Sequence, residues 1–199
     1  MILKIEFENF FSIRDRVRID FRAASINTAL TRELSHNVME WKGVPILKTI
    51  GLFGPNASGK SNILKAINFC CRMILDSHLY NEGVTFKFEP FKFDGWQNKP
   101  SKFLIDFVCE DVEYEYAFEL TRERIISESL YHYPVGRRAK IYVRDADGKY
   151  SFGTGDRGNS RRQDFGNYGR RRNKRKCGIR LRYSDFGRRS VRIRRRRRT

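Results

Sequence analysis

From Gly54 to Ser61 the chain reads Gly-Pro-Asn-Ala-Ser-Gly-Lys-Ser, which places two glycines, a lysine and a serine in the register G-x-x-x-x-G-K-S. No other stretch constrains the fold so tightly. A loop that wraps a polyphosphate must bring backbone N–H groups close to the ligand, and glycine allows the turns where a Cβ would collide. Gly54 and Gly59 meet that need, and Pro55, Asn56, Ala57 and Ser58 supply the backbone between them. Lys60 offers a mobile charge for β- and γ-phosphates, and Ser61 a hydroxyl for Mg²⁺. Asn62 completes the candidate phosphate-binding set, at the start of a helix whose N-terminal partial charge favours anions.

The flanks agree with that reading. The apolar run Thr49-Ile50-Gly51-Leu52-Phe53 leads into the loop and is expected to end a central strand over Val44 to Phe53, with Pro45 tolerable only near its beginning. After the loop, Ile63, Ala66, Ile67, Cys70 and Ile74 form one helical stripe, widened by Leu64, Cys71 and Leu75, and the helix is expected to end near Leu79 to Gly83. At the N-terminus Leu3, Ile5 and Phe7 alternate with charged residues, and the alternation resumes at Val17, Ile19 and Phe21, which predicts a β-hairpin. Residues 23 to 43 read as a long connection with a helical turn near Thr31 to Val38. Phe86 to Gly95 alternates but is broken by Pro90, so an edge strand or extended loop fits. Lys102 to Cys109, Val112 to Leu120, Ile125 to Tyr133 and Ala139 to Arg144 are separated by turn residues and predict an antiparallel meander. The class is therefore α+β rather than a repeating βαβ chain.

Charge divides the chain in two. Of the net +18, residues 153–199 carry +16, from 17 Arg, 2 Lys and 3 Asp, so residues 1–152 are nearly neutral. The basic segment has too few large apolar residues to offset the cost of ordering its backbone, and it is expected to be a disordered Arg-rich tail behind a folded lobe at 1–152. Two accounts of the tail stand at this point. It can contact nucleic-acid phosphates by charge, as Arg-Gly segments with interspersed aromatics do, or it can be the product of a shifted reading frame or truncated gene, with polycation behaviour as a by-product. Cys70, Cys71, Cys109 and Cys177 lack metal-ligand spacing, as do His36, His78 and His132, so reduced cysteines are expected. No apolar run reaches ~18 residues and no leader precedes the first strand, which points to the cytoplasm and no membrane.

Hydrolysis requires an acid at a strand end to hold the metal's water shell and polarise the attacking water. Asp106, Glu110 and Asp111 come nearest in sequence, but all lie in the meander and read as strand-face or turn residues. Gln97 and Gln163 follow no convincing strand end. His132 reads as a strand terminus rather than a base.

Asn56 and Ser58 within the loop, the opening Ile5-Glu6-Phe7-Glu8-Asn9-Phe10-Phe11-Ser12-Ile13, and Glu89 to Phe93, Tyr114 to Leu120 and Ile125 to Tyr131 together resemble the RecF/SMC-like ABC-type ATPases. More closely, they resemble the stand-alone ATP-binding proteins of restriction and antiphage-defence loci. The resemblance spans about residues 1–152 and implies the first lobe of a P-loop ATPase head. It implies ATP and Mg as ligands, with Lys60 and Ser61 in the phosphate and metal roles. It places Asn9, Phe10, Phe11, Ser12 and Arg14 near the base or ribose. Phe11 departs from the basic residue usual there. The resemblance further implies a head-to-head homodimer and an effector or nuclease subunit as partner. A second lobe with a signature sequence, an Asp-Glu strand end and a switch histidine belongs to that pattern, and its motifs are not found in this sequence. The rival expectation is a non-enzymatic module whose tail engages nucleic acid.

Overall fold

The computed structural model describes residues 1–24, 33–76 and 85–153, together with the backbone of 180–182 and 192–194. Its centre is a seven-stranded sheet in the order β2-β1-β5-β6-β7-β8-β9, antiparallel throughout. The strands are β1 (Ile2–Glu8), β2 (Val17–Asp20), β5 (Ser101–Cys109), β6 (Val112–Leu120), β7 (Ile125–Tyr133), β8 (Ala139–Arg144) and β9 (Tyr150–Phe152). The N-terminal hairpin and the four-strand meander stand where the alternation places them. β9 is an additional strand, too short at three residues for its alternation to register.

Period-two alternation sorts the side chains onto two faces. Ile5 and Phe7 of β1 align with Ile105 and Phe103 of β5, and these with Tyr116 and Phe118 of β6. Onto this face packs α1 (Lys60–Asp76), which contributes Ala66, Phe69, Cys70, Met73 and Ile74 to the same buried cluster. Phe69 is central: its ring centroid lies 5.2 Å from that of Phe103 and 5.3 Å from that of Phe88. The Phe103 ring stacks on Phe118 at 5.0 Å. Cys70 is buried, Cys71 and Cys109 half-buried, and none of the three forms a disulfide among the described residues. Burial holds the Cys70 thiol well above its ordinary pKa.

The opposite face carries charge. Lys4 pairs with Asp106 at 3.0 Å, Arg22 with Glu113 at 3.0 Å, Lys102 with Glu8 at 3.2 Å, and Arg16 with Glu6.

Two expectations need correction. The strand expected over Val44 to Phe53 is only β4 (Val44–Leu47), which pairs with β3 (Val38–Trp41) in a separate two-stranded sheet. On its other side, β4 bonds to the chain leaving the first hairpin, through Ala23 N–H to Pro45 O and Leu47 N–H to Phe21 O. Beyond Lys48 the ladder has no further partner among the described residues, and Phe53 is 95% exposed. A strand exists only where neighbours satisfy its backbone, so Thr49–Phe53 runs as a loop. In the tail, β10 (Arg180–Arg182) and β11 (Arg192–Arg194) pair antiparallel, with Leu181 opposite Ile193. A short ladder stands there in place of the expected disorder; the remainder of the tail lies outside the described residues. The expected helix end near Leu79 to Gly83 also falls outside them, and only part of the connection over 23 to 43 falls inside, where a 3₁₀ turn spans Leu34–Asn37. Phe86 to Gly95 is extended loop rather than strand.

Candidate nucleotide-binding site

The loop that enters α1 depends on backbone conformations that a side chain resists. Gly59 has φ +93°, and a Cβ there would lie 3.4 Å from Ser12 Oγ; a Cβ on Gly54 would meet Ser58 Oγ at 2.9 Å. Ala57, at φ 62°, takes the left-handed region without glycine's freedom. Lys60 begins α1 and turns its side chain back across the loop. Its ammonium donates to the carbonyls of Gly54 (2.7 Å) and Pro55 (2.6 Å), with Ser58 Oγ at 3.3 Å. The loop is pinned by Ser58 N–H to Pro55 O at 3.3 Å, and α1 is started by Asn62 and Ile63 donating to Gly59 O. Ala57, Gly59, Lys60 and Ser61 have no backbone acceptor for their N–H groups among the described residues, as the geometry of a helix start requires. A lysine charge, N–H groups without a backbone acceptor and a helix dipole thus occur together on one exposed loop, next to the exposed Ser61.

The turn from β1 toward β2 lies against this loop. Asn62 Nδ2 donates to Ser12 Oγ at 2.8 Å, and Ser12 faces Gly59. Phe11, at φ 50°, donates its N–H to Glu89 O at 2.7 Å, and Lys65 Nζ sits 4.8 Å from its ring centroid. Arg14 makes a two-pronged pair with Asp15 (3.0 and 3.1 Å) and lies 3.7 Å from Asp94; the hydrogen bond to Asp15 raises its pKa.

Of the residues expected near base or ribose, Phe11, Ser12 and Arg14 reach the surface and two do not. Phe10 is 1% exposed, inside the aromatic core. Asn9 is fully buried: its amide donates to the carbonyls of Trp96 (3.0 Å) and Lys99 (2.8 Å), and its Oδ1 accepts from Phe91 N–H (2.9 Å). Asn9 ties the turn to the 86–100 segment and has no polar atom left for a ligand. Sequence reasoning missed this role, although asparagine is among the few non-glycine residues that adopt its φ of 57° readily.

A family model described as "AAA domain, putative AbiEii toxin, Type IV TA system" matches residues 50–172. The chain belongs to this AAA-domain family. The match includes the whole Gly54–Ser61 loop, α1 and the meander; its last residues, from 154 on, lie outside those described. No curated protein matches the chain.

The candidate acids singled out in the sequence of this AAA domain, Asp106, Glu110 and Asp111, lie in β5 and the turn after it. Asp106 points to the charged face of the sheet, away from α1, and is buried rather than solvated. Burial raises its pKa against the pull of Lys4, and its Oδ1 has no hydrogen-bond partner among the described residues. Glu110 and Asp111 form the β5–β6 turn at φ 48° and 63°, where Asp111 accepts from Trp41 Nε1 at 2.9 Å. His132 lies one residue before the end of β7, its ring 6.3 Å from that of Tyr114. Gln97 sits in the 3₁₀ turn Trp96–Asn98, and Gln163 is outside the described residues. No helix among the described residues is long and apolar enough to cross a membrane.

Proposed function

We propose that this chain is an ATP-binding first lobe of an ABC-type P-loop ATPase head, of the RecF/SMC-like kind, acting in cellular defence. The observation that carries the reading is Lys60, whose ammonium closes over the Gly54 and Pro55 carbonyls at the centre of a loop with open N–H groups. A polyphosphate seated there meets that charge and the N–H groups of Ala57, Gly59, Lys60 and Ser61 together. The donor set also fits a hard cation: Ser61 offers one hydroxyl oxygen, and Mg²⁺ takes few protein ligands beside phosphate oxygens and water. When bound, Mg²⁺ supplies charge neutralisation at the β- and γ-phosphates; Lys60 and the loop amides hold and orient those phosphates.

Hydrolysis needs an acid beside the γ-phosphate, and among the described residues every candidate acid is engaged on the far face or in a turn. In this reading the catalytic acid and the signature sequence are supplied by a second lobe of such a head, brought into place by head-to-head association. ATP-driven closure would then control an effector or nuclease, in keeping with the toxin–antitoxin description of the family. The charge of residues 153–199, +16 in all, favours a second reading, in which the tail holds nucleic acid and the lobe is a scaffold. Isothermal calorimetry with Mg-ATP, on wild type and Lys60→Ala, tests the site. Binding in the wild type that weakens at least tenfold in the variant is expected; equal affinities would remove the assignment.

A further inference from the structure

We propose that the β10–β11 ribbon mounts on the outer side of α1 through Leu181 and Ile193 and presents Arg180, Arg182, Arg192 and Arg194 to the phosphates of a nucleic-acid strand. The proposal rests on the second reading above and adds to it where on the lobe the nucleic acid is held. β11 runs beside α1, with Cα atoms of the two within 8 Å. The inner side of α1 is filled by the seven-stranded sheet, of which β11 is not a member, so β11 meets the helix on a side that the sheet leaves open.

α1 carries a second apolar stripe away from the sheet. At about 100° per residue, Leu64, Cys71 and Leu75 fall within about 40° of one another and about 150° from Ala66, Cys70 and Met73 in the core. A helix with apolar residues on opposite sides is built to lie between two layers, and the sheet supplies one of them. Leu64 is 60% exposed, whereas Cys71 and Leu75, further along the helix, are half-buried.

The ribbon matches that end of the stripe. Leu181 stands opposite Ile193, and alternation puts the four arginines on the other face of the ladder. Opposed residues in a ladder have Cβ atoms about 5 Å apart, close to the spacing of about 5–6 Å between helix residues four apart, such as Cys71 and Leu75. The two-residue apolar patch of one element is therefore the right size to cover that of the other. A two-stranded ladder is marginal alone, and this one sets Arg180 against Arg194 and Arg182 against Arg192, like charges that repel across it. The helix answers the first weakness and closely spaced anions the second. A row of nucleic-acid phosphates supplies such anions without its sequence being read.

Peptide-resolved alkylation of the full chain tests the mounting. Burial raises the Cys71 thiol pKa against the pull of the N-terminal ammonium, so uncovering it speeds its reaction. Leu181→Asp with Ile193→Asp, which keeps every arginine, is expected to raise Cys71 alkylation about threefold or more. Cys70, buried in the core, should stay unreactive and report an intact lobe; the milder Leu181→Ala with Ile193→Ala should move Cys71 the same way. The ribbon variant Arg180→Ser, Arg182→Ser, Arg192→Ser and Arg194→Ser should leave Cys71 protected. Fluorescence anisotropy with a single-stranded thymidine oligonucleotide tests the surface. At ~100 mM salt the ribbon variant is expected to bind about tenfold more weakly than wild type. A variant of equal charge, Arg195→Ser, Arg196→Ser, Arg197→Ser and Arg198→Ser, should lose no more than about threefold. Cys71 alkylation unchanged by both apolar-face variants would overturn the mounting. Equal losses in the two arginine variants would overturn the surface, since net charge alone would then account for binding. A wild type that leaves the oligonucleotide unbound would remove the second reading and the phosphate surface with it, and the alkylation result would then decide the mounting on its own.

Discussion

Asn9 shows how much one side chain can hold together. Replacing it with alanine takes the side-chain partner from the Lys99 carbonyl and the Phe91 N–H, leaves the Trp96 carbonyl with the Lys99 N–H alone, and places alanine at a positive φ. Each buried polar group left unpaired costs about 1–3 kcal/mol, so Asn9→Ala is expected to lower unfolding free energy by roughly 3 kcal/mol, measured by urea titration. Asp106 gives a test with a definite sign. Burial raises its folded-state pKa above the ordinary carboxylate value, so the folded state takes up a proton before the unfolded state does. Ionised Asp106 therefore costs stability at neutral pH, and that cost is relieved as pH falls through the raised pKa toward the ordinary one. Wild type should gain on Asp106→Asn in paired urea titrations between about pH 7 and pH 4; no change in the difference would contradict this. The loop over Gly54–Ser61 and the helix behind it were legible in the sequence because their glycines and apolar stripe act locally. The roles of Asn9 and Asp106 were not, since their partners lie in other strands and loops, and no local pattern announces them.

At the scale of elements, alternation and turn residues located the hairpin and the meander because both are built from neighbours in sequence, each strand bonding to the next. The run Thr49–Phe53 has the same apolar character, yet it forms no strand here. β propensity reports fitness for a pleated surface, and whether a neighbour is present to complete the ladder is a tertiary matter. The helix illustrates the same division. Its periodicity placed Leu64 at the margin of the buried stripe, and Leu64 is 60% exposed, whereas Phe69 is 9% exposed and touches the rings of Phe10, Phe86, Phe88, Phe103 and Phe118. Phe69→Ala should cost about 3–5 kcal/mol, the range for removing a buried aromatic. Leu64→Ala on the same helix should change stability by no more than about 0.5 kcal/mol. Thermal or urea unfolding of the two variants, side by side, reads the asymmetry of α1 directly.

For the whole molecule, Gly153 marks the end of the continuous described fold. Its N–H bonds to Ile141 O, and a Cβ there would collide with the Lys140 carbonyl oxygen. A chain ending at Gly153 should keep its far-UV circular dichroism. If the tail binds nucleic acid, that chain should also lose such binding, while the full chain's affinity falls by orders of magnitude between ~50 and ~200 mM salt with no sequence preference. Binding by the shortened chain, or salt-tolerant binding by the full one, would place a nucleic-acid surface within the sheet domain. The strand order has a separate consequence. β1 borders β5, yet residues 8 and 101 are the nearest ends of the two strands. On the ribosome, at about 5–20 residues per second, roughly 5–20 seconds separate the emergence of β1 from that of its partner. For that interval Ile5, Phe7 and Phe10 have neither β5 nor β6 to cover them, which makes the nascent N-terminal hairpin a natural client for a chaperone that shields apolar strands.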